Sequence, residues 1–296
     1  MNAPAALGDT SRLRGGPIMR YGGKGHIAPR LLPHFPRAKL YGEPFFGAGS
    51  VFYALPPGTY ERHAVNDLDR SITTFFRCLR DRPDDLVRVC EATPYARDEF
   101  IACLEPSNDE LEEARRVWVR SRQGFSGNAT TAGDWSRTSG DGTSWNPSKA
   151  SSRLRALGSY AARLRDVAID NVDAAAFVRS WGKPGAFLYC DPPYVHEGRC
   201  RGGGGGKGWY AHEMTDADHR RLAASLREAV EKGAKVAVSG YATPLYDELF
   251  AGWRTFSFDT PSSAAHAGAT RRTEVLWMSY PAGDEIGATP PRLELA

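Results

Sequence analysis

The sequence predicts an α/β fold built on a largely parallel, doubly wound sheet, interrupted by an inserted domain of mainly helical and loop texture. Three observations carry this. Short strand-like apolar runs alternate with helix-like segments towards both ends of the chain. That alternation breaks between about residues 85 and 165. The 296 residues are 41% hydrophobic and 25% charged, which suits one large core plus an insert.

The elements follow in order. "AKLYGE" (38–43) reads as a strand, closed by a glycine turn and a helix from about Ser50. "HAVND" (63–67) reads as a second strand ending in acid, and "RSITTFFRCLR" (70–80) as a helix. "VAID" (167–170) and "GAFLYC" (185–190) read as strands. Thr215 caps a helix, with Asp218 as the capping-box acid. Leu222, Leu226 and Val230 share one face of that helix, and Gly233 ends it. "AKVAVSG" (234–240) and "EVLWMSY" (274–280) supply two more strands. This divides the chain into a loose tail (1–17), a catalytic domain in two pieces (18–84 and 166–281), an insert (85–165) and a second tail (282–296).

Composition excludes several classes. No apolar run approaches the roughly 18 residues of a membrane helix, and the N-terminal tail lacks a signal-peptide core. A cytoplasmic protein with no membrane partner is expected. The five cysteines are odd in number and form no C-x-x-C pair, which argues against a disulfide framework or a zinc ribbon. The seven histidines are scattered, so no metal is expected.

Charge is unevenly placed. Asp85–Glu113 holds nine acidic and two basic residues, whereas Ala114–Arg165 holds ten basic and two acidic. A solvated helix face is the commoner meaning of a charge run. Here Phe125, Trp135 and Trp145 and many small polar residues are interleaved, which suits a nucleic-acid surface better. Arg120, Arg122, Arg137, Lys149, Arg153 and Arg155 are the candidate contacts, and Phe125 is a candidate wedge into a base stack, although a packing role fits it equally.

"EPFFGAGS" (43–50) turns from strand to helix. Gly47 and Gly49 let the backbone turn tightly and approach a ligand. Alone, such a turn is most often structural. Asp67 changes its meaning, because an acid ending the next strand can accept hydrogen bonds from both ribose hydroxyls of a nucleoside. Asp173 can reach an adenine amino group from the rim of the sheet, and Asp69 reads as a surface acid. The absence of a Walker lysine-serine pattern disfavours a nucleoside triphosphate.

"DPPY" (191–194) closes a buried strand. The amino group of a heteroaromatic ring is a poor nucleophile because its lone pair is delocalised. Hydrogen-bond acceptors at its N–H groups pull the nitrogen towards tetrahedral geometry and localise that pair. Asp191 supplies one acceptor and the Pro192 carbonyl another, while Pro192 and Pro193 stiffen the backbone. Tyr194 offers a ring on which a base can stack, worth ~1–3 kcal/mol in comparable sites. An Asp-Pro turn beside a core tyrosine is the plain alternative. The position after a buried strand, downstream of an adenosine-type site, favours the clamp.

"MRYGGKGHIAPRLLPHFP" (19–36), "EPFFGAGS", "DPPY", "VAVSGY" (236–241) and "RRTEVLWMSY" (271–280) together resemble the Dam-type adenine-specific DNA methyltransferases, in the phage or prophage style. The likeness spans roughly residues 18–281. It implies a Rossmann-like S-adenosylmethionine-dependent methyltransferase fold with one reversed strand near the C-terminal edge, which "EVLWMSY" can supply. It implies methyl transfer from S-adenosylmethionine, leaving S-adenosylhomocysteine, to the amino group of a flipped-out adenine in double-stranded DNA. Tyr21, Lys24, Phe45, Gly47, Gly49, Asp67 and Asp173 match cofactor-site positions, and Asp191, Pro192, Pro193 and Tyr194 the catalytic clamp. "RSRQGFSGN" (120–128) resembles the family's R-x-x-x-G-[FY]-N-G segment, with Ser126 in place of asparagine. The shorter insert leaves the target sequence open. A monomer is expected, and a cognate restriction endonuclease is compatible with the reading. RNA or protein-glutamine methylation and a catalytically inactive DNA-binding homologue are the alternatives. The aspartate in the clamp and the basic insert weigh against the amide version. Intact Asp191, Lys24 and Asp67 weigh against inactivity.

Overall fold

A computed structural model describes residues 13, 15–20, 22–124, 131–136, 147–195, 213–260 and 272–286. Tyr21, Phe125 and Arg137 lie outside the described residues. The described strands are β1 (Leu40–Glu43), β2 (Arg62–Asn66), β3 (Val167–Asp170), β4 (Ala186–Cys190), β5 (Lys235–Tyr241), β6 (Arg254–Thr260) and β7 (Arg272–Met278). The described helices are α1 (Ala28–Leu31), α2 (Ser50–Ala54), α3 (Arg70–Asp81), α4 (Pro83–Glu91), α5 (Arg97–Ala102), α6 (Glu110–Gln123), α7 (Pro147–Leu164), α8 (Ala174–Trp181), α9 (Asp216–Glu231) and α10 (Pro244–Leu249).

The chain forms two compact units interleaved along the sequence. The first comprises Met1–His26, Phe46–Pro57 and Asp69–Asn171, and the second Ile27–Phe45, Gly58–Leu68 and Val172–Ala296.

Six of the strands belong to the second unit, hydrogen-bonded in the order β2-β1-β4-β5-β7-β6. The pairs β1–β2, β1–β4 and β4–β5 are parallel. The strand β7 runs antiparallel to both β5 and β6, so the reversed strand falls within the segment expected to supply it. Every residue of β4 is buried, as its unbroken apolar sequence requires of a strand covered on both faces. Beside it, Gly42 of β1 packs closely, since a Cβ there would stand 2.5 Å from Leu188 Cδ2 and push that side chain aside. The Thr215–Asp218 capping box forms reciprocally at the start of α9. Leu222, Leu226 and Ala229 are buried on that helix, while Val230 is only half-buried. Gly233 follows with φ of 95°, the left-handed stop that glycine supplies.

Among the described residues, the first unit is mainly helical, with β3 as its strand. On α3, Ile72, Phe75, Phe76 and Leu79 fall at i, i+3, i+4 and i+7 and are all buried. Their rings belong to an aromatic core in which Phe76 meets Phe46 edge-on at 4.6 Å and Tyr53 meets Tyr160 at 4.8 Å. Asp109 caps α6 by accepting from Glu112 N at 2.8 Å. Glu112 then pairs with Arg115 and Arg116 one turn on. The hydrogen bonds from Arg115, together with Arg116 and against the cost of partial burial, hold the Glu112 carboxyl down at about 2. Cys78, Cys90, Cys103 and Cys190 are free and buried, as the cysteine spacing implied. Burial pushes the Cys90 thiol up to about 12 and the Cys103 thiol to about 11, so neither is a reactive thiolate.

Candidate active site

In the second unit, β4 delivers Asp191 at its C-terminal end. Pro192 and Pro193, which cannot donate to a ladder, follow at once. The neighbouring parallel strand holds the acid: Ser239 Oγ donates to Asp191 Oδ1 at 3.0 Å. Ser239 Oγ also lies 2.9 Å from the Tyr189 hydroxyl. Tyr189 and Ser239 have no measurable exposure, whereas Asp191 is half-buried.

Tyr194 is buried, at 8% exposure. Its hydroxyl donates a short hydrogen bond to the Glu274 carboxylate, itself only 3% exposed. The ring meets Tyr241 edge-on at 4.5 Å. Tyr241 and Glu274 are cross-strand partners in the β5–β7 ladder, so one antiparallel pair grips both ends of the Tyr194 side chain. Burial, reinforced by the Asp191 and Glu274 carboxylates, raises the Tyr194 phenol well above its ordinary range and keeps it a neutral donor. Glu274 escaped sequence reasoning, although it lies in the quoted "RRTEVLWMSY".

Asp67 leaves the end of β2 half-buried. The residue before it, Asn66, is fully buried and ties two loops together. Its Nδ2 donates to the Pro44 and Val172 carbonyls, both at 3.0 Å, and its Oδ1 accepts from Val172 N at 2.9 Å. Phe45 follows Pro44 and Asp173 follows Val172, so a single amide sets the start of both segments. Asparagine at the end of "HAVN" was the available signal, and the acid after it drew attention away. Asp173 caps α8, accepting from Ala175 N at 3.0 Å and Ala176 N at 3.4 Å, and its other oxygen pairs with Arg221 at 3.0 Å.

In the first unit, the glycine turn has two left-handed residues. Gly47 has φ of 52°, and among the described residues beyond its chain neighbours no atom lies within 4 Å of where a Cβ would stand. Gly49 has φ of 69°, and a Cβ would lie 2.7 Å from Phe46 Cζ. Packing therefore requires glycine at 49, while open space adjoins Gly47. Gly16 runs directly against this turn, since its Cβ would meet the Ala48 carbonyl oxygen at 1.7 Å. Lys24 is buried and its Nζ reaches the Gly22 carbonyl at 3.4 Å. Asp69, expected to be a surface acid, instead caps α3 through Ser71 N at 3.0 Å and pairs with Arg20 at 3.1 Å. Burial opposes its charge, but Arg20 and Ser71 outweigh that and hold its carboxyl below the usual range.

Of the basic candidates, Arg120 donates to the Cys103 carbonyl at 2.7 Å and pairs with Glu113 at 3.0 Å. Arg122 donates to the Pro17 carbonyl and stacks over Trp118 at 4.6 Å. Ser121 accepts from Met19 N at 2.6 Å, so the last turn of α6 anchors the segment that leads to "YGGK". Arg155 is exposed on α7. Lys149 and Arg153 lie on the same helix, for which only the backbone is described at those positions. Among the described residues, no three His, Cys, Asp or Glu side chains gather as a metal site. No helix there is long and apolar enough to cross a membrane.

Comparison with known proteins identifies the family. Over 274 residues the chain is 23% identical to the type II methyltransferase M1.LlaDCHI of Lactococcus lactis subsp. cremoris, covering 88% of this chain and 93% of that protein. Over 261 residues it is 25% identical to the DNA N-6-adenine-methyltransferase of Escherichia phage P1, covering 84% of this chain but 33% of the phage protein. A solved rRNA methylase from Streptococcus thermophilus aligns with a TM-score of 0.33 and 9% identity over 85% of this chain and 94% of that one, too loosely to support an inference. The model of the D12 class N6 adenine-specific DNA methyltransferases matches residues 21–263, from "YGGK" past the clamp and β5, and the chain belongs to that family.

Proposed function

We propose that this adenine-specific DNA methyltransferase works by clamping the amino group of a flipped-out adenine at Asp191 and the Pro192 carbonyl. The observation that carries this is a half-buried carboxylate at the end of an entirely buried strand, held by Ser239 and followed by two prolines. An ionised carboxylate only accepts, so it engages the amino N–H and leaves the nitrogen lone pair directed away from it. Pro193 limits backbone movement, keeping the Pro192 carbonyl in register with the acid. Tyr194, with its hydroxyl fixed by Glu274, supplies the aromatic surface for the base. Stacking there requires the groups that cover the ring to move aside as the base enters.

S-adenosylmethionine supplies an electrophilic methyl group when bound. Open space beside Gly47 lets backbone approach such a ligand. In this reading Gly47 and Gly49 bring backbone close to it, and Tyr21, Lys24 and Phe45 line its site. Asp67 takes the ribose hydroxyls. A carboxylate has about four acceptor positions, so the cap and the Arg221 pair leave Asp173 capacity for an adenine amino group. No metal is required in this reading, and chelators are expected to leave activity unchanged.

The 85–165 segment is assigned to target recognition in double-stranded DNA. Arg155 is the foremost phosphate contact, with Lys149 and Arg153 on the same helix; Phe125 and Arg137 complete the proposed set. Arg120 and Arg122 support the segment's own structure and that of residues 17–19. The extrusion of the base costs a few kcal/mol, and backbone contacts of this kind offset it.

Asp67→Ala is expected to weaken S-adenosylmethionine binding by about 10- to 100-fold, from lost charge-assisted hydrogen bonds of ~1.5–3 kcal/mol. Calorimetric titration checks this. Unchanged affinity would remove Asp67 from the ribose site.

A further inference from the structure

We propose that Tyr189 and Ser239 form a positioning relay that fixes and polarises the Asp191 carboxylate for its work on the adenine amino group. This rests on the assignment of Asp191 as the amino-group acceptor, and extends it to two residues that no part of that assignment requires.

The geometry gives the relay a direction. Ser239 has one hydroxyl proton, and it is committed to Asp191 Oδ1 at 3.0 Å. The 2.9 Å contact with Tyr189 must then have the phenol as donor and the serine oxygen as acceptor. The chain of donation therefore runs from Tyr189 to Ser239 to Asp191. Because the serine accepts a hydrogen bond, its own hydroxyl becomes a stronger donor. Both hydroxyls are fully buried, where water cannot replace either partner.

Strand register explains why these three meet. The parallel ladder pairs Tyr189 with Ala237 and Cys190 with Val238. One step further, Asp191 comes level with Ser239. Residues two apart on a strand share a face, so Tyr189 and Asp191 face the same way, as do Ala237 and Ser239. The alanine beside Tyr189 is small enough to let the ring lean along the strands towards Ser239. Burial, with the Asp191 charge adding to it, raises the Tyr189 phenol well above its ordinary range, so it stays protonated and able to donate.

Function gives the relay its purpose. A half-buried carboxylate must stay ionised to accept an N–H, and a donor aimed at it favours that form. It must also keep one rotamer, since a misplacement of about 1 Å costs up to ~100-fold in rate. A serine donating from the neighbouring strand serves both needs without using the residues of the clamp itself.

The test is steady-state methylation of DNA across pH by wild type, Ser239→Ala, Ser239→Thr, Tyr189→Phe and Asp191→Ala. Ser239→Ala is expected to lower kcat about tenfold, the worth of one hydrogen bond to a charged group. KM for S-adenosylmethionine should stay within about twofold. A donor aimed at the carboxylate favours its charged form, so without it the acid limb of the kcat profile should move to higher pH. Ser239→Thr keeps the hydroxyl and should restore both properties. Tyr189→Phe should act in the same sense but more weakly. It carries the test if Ser239→Ala folds poorly. An unmoved acid limb with kcat within twofold of wild type, in Ser239→Ala or failing that in Tyr189→Phe, overturns the relay. Asp191→Ala separates the two levels. If it too retains turnover, the acceptor assignment fails; if it is inactive beside an unaffected Ser239→Ala, the relay alone fails.

Discussion

Asp191→Ala is expected to lower methyl transfer by about 100- to 1000-fold or more, the scale set by deleting one preorganised electrostatic group from an active site. Asp191→Asn should fall between the two, because its amide oxygen still accepts one hydrogen bond but lacks the charge. From sequence alone, a residue at a strand terminus should be removable at little cost to stability. The structure changes that expectation. Ser239 is fully buried and donates to Asp191, so alanine leaves a buried hydroxyl without its acceptor. That costs about 1–2 kcal/mol, well within the ~5–15 kcal/mol of a folded domain. Single-turnover methylation and thermal unfolding together check both parts. A variant that folds and turns over at near-normal rate would remove the carboxylate from the chemistry.

Arg120→Ala is expected to lower stability by about 2–3 kcal/mol, less than the ~3–5 kcal/mol of a fully buried pair because the arginine is partly solvated. The Arg120 side chain is 18% exposed and that of its partner Glu113 8%. Glu113 also accepts from Ser107 N at 2.7 Å, and Arg120 also satisfies the Cys103 carbonyl. Removing the guanidinium strands a buried carboxylate and a carbonyl together. Thermal unfolding should show a drop of roughly 4–12 °C at ~2–4 °C per kcal/mol. Arg155→Ala is the contrast, because an exposed residue should change stability by no more than about 0.5 kcal/mol. If Arg155 meets a phosphate, its loss should flatten the salt dependence of DNA binding by ~1 in slope. An Arg120→Ala variant as stable as wild type, with DNA affinity lost instead, would reverse these assignments.

The elements legible in the sequence were those whose local signals agreed with one another. "VAID" is a strand over the four residues read, and Thr215 and Asp218 form the capping box their spacing implies. The strand β6 was missed because "RTFSFDT" has no apolar run. Only its alternation of Phe256 and Phe258 with Thr255, Ser257 and Asp259 marks a half-buried edge strand. Asp173 shows a different limit. Acid followed by "AAAF" is an N-cap signature, but proximity to a nucleoside-type strand end made a ligand role the more prominent reading. Asp69 read as a surface acid, whereas it caps α3 and pairs with Arg20. Its partner Arg20 lies 49 residues away, and no local pattern announces that pairing. The grip of Tyr241 and Glu274 on Tyr194, and of Ser239 on Asp191, depends on strand register. Only tertiary structure fixes it, so "DPPY" could be found from sequence while the residues that hold it could not.

Methylation of the amino group of adenine in DNA through the proposed Asp191 clamp can be measured directly. The direct measurement supplies radiolabelled S-adenosylmethionine and unmethylated duplex DNA to the purified protein, then digests the DNA to nucleosides. Total RNA and denatured protein serve as parallel acceptors. Label is expected in N6-methyl-2′-deoxyadenosine of DNA alone, unaffected by EDTA and lost in Asp191→Ala. Label in cytosine, in RNA or in protein, or undiminished incorporation by Asp191→Ala, would contradict it.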